Sequence, residues 1–82
     1  MAKEKLPAIS GKKLIKVLYK MGLMPVRQSG SHAQIRGVYK GAARFTTVPV
    51  HGKENLPTGT LKGILDDCNI TNEEFFKLLK KK

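Results

Sequence analysis

The residues whose types and spacing can do chemistry are gathered in one stretch, Arg27-Gln28-Ser29-Gly30-Ser31-His32-Ala33-Gln34-Ile35-Arg36. A histidine follows a Ser-Gly-Ser turn signal, and an arginine stands on each side of it. Imidazole can accept or donate a proton at cellular pH. Guanidinium groups hold phosphate and offset charge that builds on it. Proton transfer beside a bound anion is therefore the chemistry to test. Ser31 and Gly30 add a hydroxyl and backbone N–H groups that can face a phosphate oxygen. Rival acid–base constellations are absent. Asp66 and Asp67 are adjacent on a predicted helix and so point in different directions, and Glu73 and Glu74 are accounted for by helix capping and the helix dipole. No P-loop or dinucleotide fingerprint occurs.

Composition limits the partner. The chain has 82 residues, sixteen Lys/Arg and six Asp/Glu, for a net charge of +10. That excess favours a polyanion such as nucleic acid, or an acidic protein, over an acidic membrane surface. Uncharged stretches are too short to span a bilayer, and Met1-Ala2-Lys3-Glu4-Lys5 has no apolar run behind it to make a signal peptide. The expected location is the cytoplasm. One cysteine, Cys68, cannot form an internal disulfide, and with only His32 and His51 it makes no convincing zinc set. No cofactor or metal is expected.

The elements that position the stretch can be read in order. A chain this short supplies one core, so residues 1–82 are expected to form a single domain. Leu6-Pro7 closes a short arm. Ser10 offers a helix N-cap, and Leu14, Ile15, Leu18 and Met21 recur at helical spacing up to Gly22, a predicted C-terminal αL residue. The other side of this helix carries Lys12, Lys13, Lys16 and Lys20. A charge run is ordinarily a solvated face, but no acid is interleaved here, which favours phosphate contact.

After Gly22 the period becomes two. Leu23 to Gln28 reads as a strand with Pro25 tolerated at an edge, and Ser29-Gly30-Ser31 as a hairpin turn. In the next strand Ala33 and Ile35 point one way, His32, Gln34 and Arg36 the other. Residues 37–43, with two glycines around Tyr39 and Lys40, read as a loop or hairpin tip. Phe45 to Val50 reads as a third strand with Thr46, Val48 and Val50 inward and Phe45 partly exposed. After a loop, Thr58 is placed to cap a second helix with Leu61, Ile64, Leu65 and Cys68 buried. Thr71 and Glu74 form a capping box, with Ile70 and Phe75 as a hydrophobic staple, at the start of a short C-terminal helix. The expected class is α+β: a helix, a three-stranded antiparallel sheet with helices packed on one face, and a short helix at the end.

Several of these pieces together resemble the HicA toxins of toxin–antitoxin systems. They are Leu6-Pro7, Ser10-Gly11-Lys12, Leu18 to Gly22, Arg27-Gln28 with Gly30-Ser31-His32, Thr46-Thr47-Val48-Pro49-Val50-His51, Leu56-Pro57, Gly59-Thr60-Leu61 and Ile64-Leu65. Their order and spacing, more than any one of them, carry the resemblance over nearly the full length. Residues 37–43 depart from it, being longer and more apolar than the family's short polar turn. The resemblance implies a fold like double-stranded-RNA-binding domains (dsRBD-like, αβββα). It also implies an mRNA interferase that halts translation and is silenced by a HicB-like antitoxin, and it places the family's essential histidine on His32.

RNA carries its own nucleophile in the 2′-OH. Cleavage then needs a proton acceptor, a proton donor for the departing 5′-oxygen and nearby cations, and no metal. His32 is the expected catalytic residue. Lys12, Lys13, Lys16, Lys20, Arg27, Ser31 and Arg36 are the expected RNA contacts. The second proton-transfer group stays unassigned, with His51 the match by type. Two other readings stay open: a non-catalytic RNA-binding module of the same fold, and a charged face whose main role is to dock an acidic antitoxin.

Overall fold

The first helix begins where its cap is written. Ser10 has extended backbone, and its Oγ accepts the Lys13 N–H at 3.2 Å, satisfying one of the donors that a helix start leaves without an intrahelical partner. The computed structural model describes residues 6–50 and 54–80. The arm from Met1 to Lys5, His51 and the terminal Lys81 and Lys82 lie outside the described residues. The elements are α1 (Gly11–Lys20), β1 (Leu23–Ser29), β2 (His32–Tyr39), β3 (Ala42–Pro49), α2 (Thr58–Asp67) and α3 (Asn72–Lys80). This is the expected α+β αβββα order with a further helix. Among the described residues, no helix is long and apolar enough to cross a membrane.

The sheet is antiparallel in the order β1-β2-β3. Both hairpins turn on two residues. Ser29 pairs with His32 across Gly30-Ser31, and Gly30 has φ +59°, the pattern of a type II′ turn. Tyr39 pairs with Ala42 across Lys40-Gly41, both at positive φ (57° and 76°), as a type I′ turn requires. The hairpin tip expected within residues 37–43 is thus Lys40-Gly41, and the rest of that stretch is strand. Gly37 belongs to β2 because a Cβ there would collide with the Gly22 carbonyl oxygen and lie 2.9 Å from the Leu23 Cα. Glycine marks a close approach of two strands here, not a turn.

The core lies on one face of the sheet. Leu23, Ala33, Ile35, Thr46 and Val48 point into it from the strands, and Leu14, Val17, Leu18, Leu61, Ile64, Leu65 and Phe75 cover them from the helices. The helix α1 stripe differs by one step from the expected one: Val17 is buried, while Ile15 and Met21 are half-buried. Val17 sits three residues after Leu14 and beside Leu18, so it fills the centre of the stripe, and Met21 is the C-cap. Thr58 is the first residue of α2, not its cap. Pro57 holds that position with φ −58° and supplies no side-chain bond, its ring pre-setting the entry to the helix.

Polar ties fix the helices to the sheet. The buried Thr46 hydroxyl donates to Asp67 Oδ2 at 2.9 Å, anchoring α2 to β3. The capping box forms as expected, the Thr71 N–H donating to Glu74 Oε1 at 2.9 Å and the Glu74 N–H to Thr71 Oγ1 at 3.1 Å. Glu74 also receives Lys40 Nζ at 2.9 Å, which links the β2–β3 turn to α3. The Lys40 bond, then the Thr71 N–H, hold the Glu74 carboxyl below its ordinary range. Cys68 is fully buried, and desolvation, then the neighbouring Asp67, raises its thiol. It is a small core residue and not a nucleophile.

Two outcomes follow. Gly37→Ala should lower stability by about 1–3 kcal/mol in urea titration, as overpacking against backbone does, whereas a loop glycine would tolerate it. A carboxyl with a lowered folded value stabilises above the ordinary carboxylate range, and that contribution is lost as pH falls through the folded value. Glu74→Gln should therefore reduce thermal stability near neutral pH and leave a shallower loss between about pH 5 and 3, read by thermal melts across pH.

Candidate active site

Alternation along β2 sends His32, Gln34 and Arg36 to the face opposite the core, with Ala33 and Ile35 buried behind them. Cross-strand pairing brings other residues to the same open face. Met24 lies opposite Arg36 and Arg27 opposite Gln34 on β1. On β3, Phe45 lies opposite Arg36, Thr47 opposite Gln34 and Pro49 opposite His32. Between Pro25 and Arg27 the register shifts at Val26; the extra residue keeps Arg27 on the same side as His32. Arg27, His32 and Arg36 are all exposed.

Tight backbone contacts hold the His32 end of the sheet. The Val50 N–H donates to the Ser31 carbonyl at 2.6 Å, extending the β2–β3 ladder past the strand end. Gly11 packs its backbone onto the Pro49 carbonyl so closely that a Cβ would overlap it. The first turn of α1 is thereby pressed against the residue that pairs with His32. The segment after β3 is strapped to the chain before α1: the Leu56 N–H donates to the Ile9 carbonyl at 2.8 Å, and Ser10 bridges to Asn55.

These ties close one side of a cleft of about 320 Å³ lined by His32, Pro49, Glu54, Asn55, Leu56, Pro57 and Thr60. It places a carboxylate and an imidazole on the walls of one concavity. Thr60 brings the first turn of α2 to the same place. That turn has no side-chain cap and no acidic residue, so the partial positive charge of the helix start is not offset within it.

The expected site residues divide into two groups. Arg27, His32 and Arg36 share the open face, and Ser31 stands in the adjoining turn with its carbonyl committed to Val50. Lys12, Lys13, Lys16 and Lys20 line the exposed side of α1, which covers the other face of the sheet. The row of lysines begins beside Gly11 at the His32 end and runs away from it. Lys20 ends in a separate groove with Met21, Tyr39, Glu74, Lys77 and Leu78. Glu54 was not identified from the sequence, because it stands in an aperiodic loop and has no motif. Thr60 had a signal as part of Gly59-Thr60-Leu61, but nothing in the sequence linked it to His32.

The chain is thus an αβββα domain of strong positive charge, with a histidine at the head of the polar sheet face and a cleft beside it. A family model described as "HicA toxin of bacterial toxin-antitoxin" matches residues 11–70. That range covers most of the chain and includes every element from α1 to α2. The chain belongs to the HicA toxin family, and it is the toxin of a toxin–antitoxin pair. Neither the curated proteins nor the solved structures give a significant match.

Proposed function

We infer that the chain is a metal-independent endoribonuclease that cleaves mRNA and so inhibits translation, acting in the cytoplasm and silenced by a HicB-like antitoxin. The observation that carries this reading is the cleft in which His32 and Glu54 share the walls with the uncapped first turn of α2. RNA cleavage through its own 2′-OH asks for two proton transfers on opposite sides of one phosphate. A carboxylate and an imidazole are a workable pair for them.

Glu54 accepts the proton of the 2′-OH as its oxygen attacks phosphorus. His32, as imidazolium, donates a proton to the departing 5′-oxygen. The products are a 2′,3′-cyclic phosphate and a 5′-hydroxyl, so protons and charge balance without water or metal. Developing charge on the phosphoryl oxygens is offset by Arg27 and by the N–H groups at the start of α2. Lys12 and Lys13 extend from the end of α1 that packs near Pro49, where they meet the flanking phosphates. Lys16 and Lys20 continue that electrostatic track.

His32→Ala should lower cleavage by about 10²–10⁴-fold while circular dichroism and RNA affinity stay close to the parent. Full cleavage by the folded variant would remove His32 from the chemistry. Glu54→Gln should cost about 10²-fold; undiminished cleavage by the folded variant would contradict its role as base. A protein that shifts single-stranded and duplex RNA alike in a gel, but produces no new ends, would instead be a non-catalytic RNA-binding module.

A further inference from the structure

The open face of the sheet carries a feature that proton transfer at His32 does not use. Phe45, on the edge strand β3, is 51% exposed on that face. The Arg36 guanidinium carbon lies 5.8 Å from its ring centroid, a cation–π arrangement that orients both side chains. Met24 on β1, opposite Arg36, and Val38, two residues on along β2, are also exposed on that face. Apolar side chains clustered on an otherwise polar face of a small domain mark a binding surface.

Charge selects the occupant. No aspartate or glutamate occurs anywhere in β1, β2 or β3, and the open face presents Arg27 and Arg36. A ligand for it carries negative charge along its length and flat apolar groups at its side. Single-stranded nucleic acid has both, whereas duplex bases are already stacked and paired and cannot lie on a ring.

We propose that the open sheet face is a subsite for single-stranded RNA in which Phe45, flanked by Arg36, stacks a base of the strand whose scissile phosphate lies at His32. The proposal rests on the ribonuclease reading for the His32 end of that path. The strand register fixes the separation. His32 pairs with Pro49 and Arg36 with Phe45, four residues apart along β2, or about 13 Å at about 3.3 Å per residue. The stacked base is therefore not one that flanks the cleaved bond but one further along the strand. Phe45 is a specificity residue for unpaired substrate and takes no part in bond breaking. Met24 and Val38 form the apolar border of the platform on the side of Arg36.

The test uses the full chain carrying His32→Ala, which binds RNA without turnover, and single-stranded oligonucleotides with 2-aminopurine placed at successive positions. Quenching is expected at one position away from the cleaved bond. Adding Phe45→Ala should remove the quenching and weaken single-strand affinity about ten-fold, with duplex affinity unchanged; Phe45→Trp should restore both. In the cleaving protein, Phe45→Ala should raise KM and leave kcat in place. Unchanged affinity and quenching in a folded Phe45→Ala variant would overturn the proposal. So would a variant that keeps RNA binding but is no longer neutralised by its antitoxin, since the patch would then be a protein interface. Phe45-dependent binding by a protein that cuts no RNA would leave the platform standing and end the ribonuclease reading.

Discussion

Everything at the candidate site depends on the phase of β2. Ala33 and Ile35 are driven inward beneath the helices, and the period of two then sends His32, Gln34 and Arg36 outward. A slip of one residue would bury the histidine and expose Ile35, so the same hydrophobic burial that folds the domain fixes which side chains stand on its open face. The phase is pinned at both ends of the strand. Gly30 supplies the left-handed conformation of one two-residue turn, and Lys40 with Gly41 that of the other. At Lys40 a non-glycine residue sits at positive φ, and its ammonium is held by Glu74, so an ion pair to α3 offsets part of a local conformational cost.

The His32 end of the sheet gains its shape from backbone contacts more than from side chains. Gly11 allows the start of α1 to rest on Pro49, and the bonds from Leu56 to Ile9 and from Val50 to Ser31 bring the segment before α2 back to the head of β2. A cleft results between a strand end and a helix start. This geometry concentrates N–H groups, a carboxylate and an imidazole without burying any of them in the core. It also explains why the cationic residues fall into two sets. The arginines belong to the sheet's open face and the lysines to the outer side of α1, so a strand that crosses the His32 end can touch both, while neither set alone surrounds the histidine.

Much of this was legible in the sequence, where the signals are local. Ser10 as cap, the Thr71–Glu74 capping box, the turn at Gly30 and the inward–outward split of Ala33 and Ile35 against His32 all depend on residues within four positions of each other. What was not legible depends on contacts between distant segments. Gly37 looked like a loop residue because its reason, the closeness of Gly22 and Leu23, lies across a strand pair. Pro57 in place of Thr58 at the head of α2 reflects a fixed φ that competes with a side-chain cap. Glu54 reaches the His32 cleft only because residues 54–57 are strapped to Ile9 and Ser10, and no periodicity encodes that. The open face shared by His32, Arg27 and Arg36 and the exposure of Phe45 were thus readable, whereas the carboxylate that the fold brings alongside His32 was not.

Membership of the HicA toxin family and the chemistry of the cleft lead to one account: RNA is cut by its own 2′-oxygen, with the protein supplying two proton transfers and positive charge. The identity of the new ends tests that account most directly. Purified protein and single-stranded RNA are incubated with excess chelator, and the fragments are resolved by mass spectrometry. The account predicts cleavage that survives chelation and yields 2′,3′-cyclic phosphate and 5′-hydroxyl ends. Fragments bearing 5′-phosphate and 3′-hydroxyl, or cleavage lost with the metal and restored by adding it back, would contradict it.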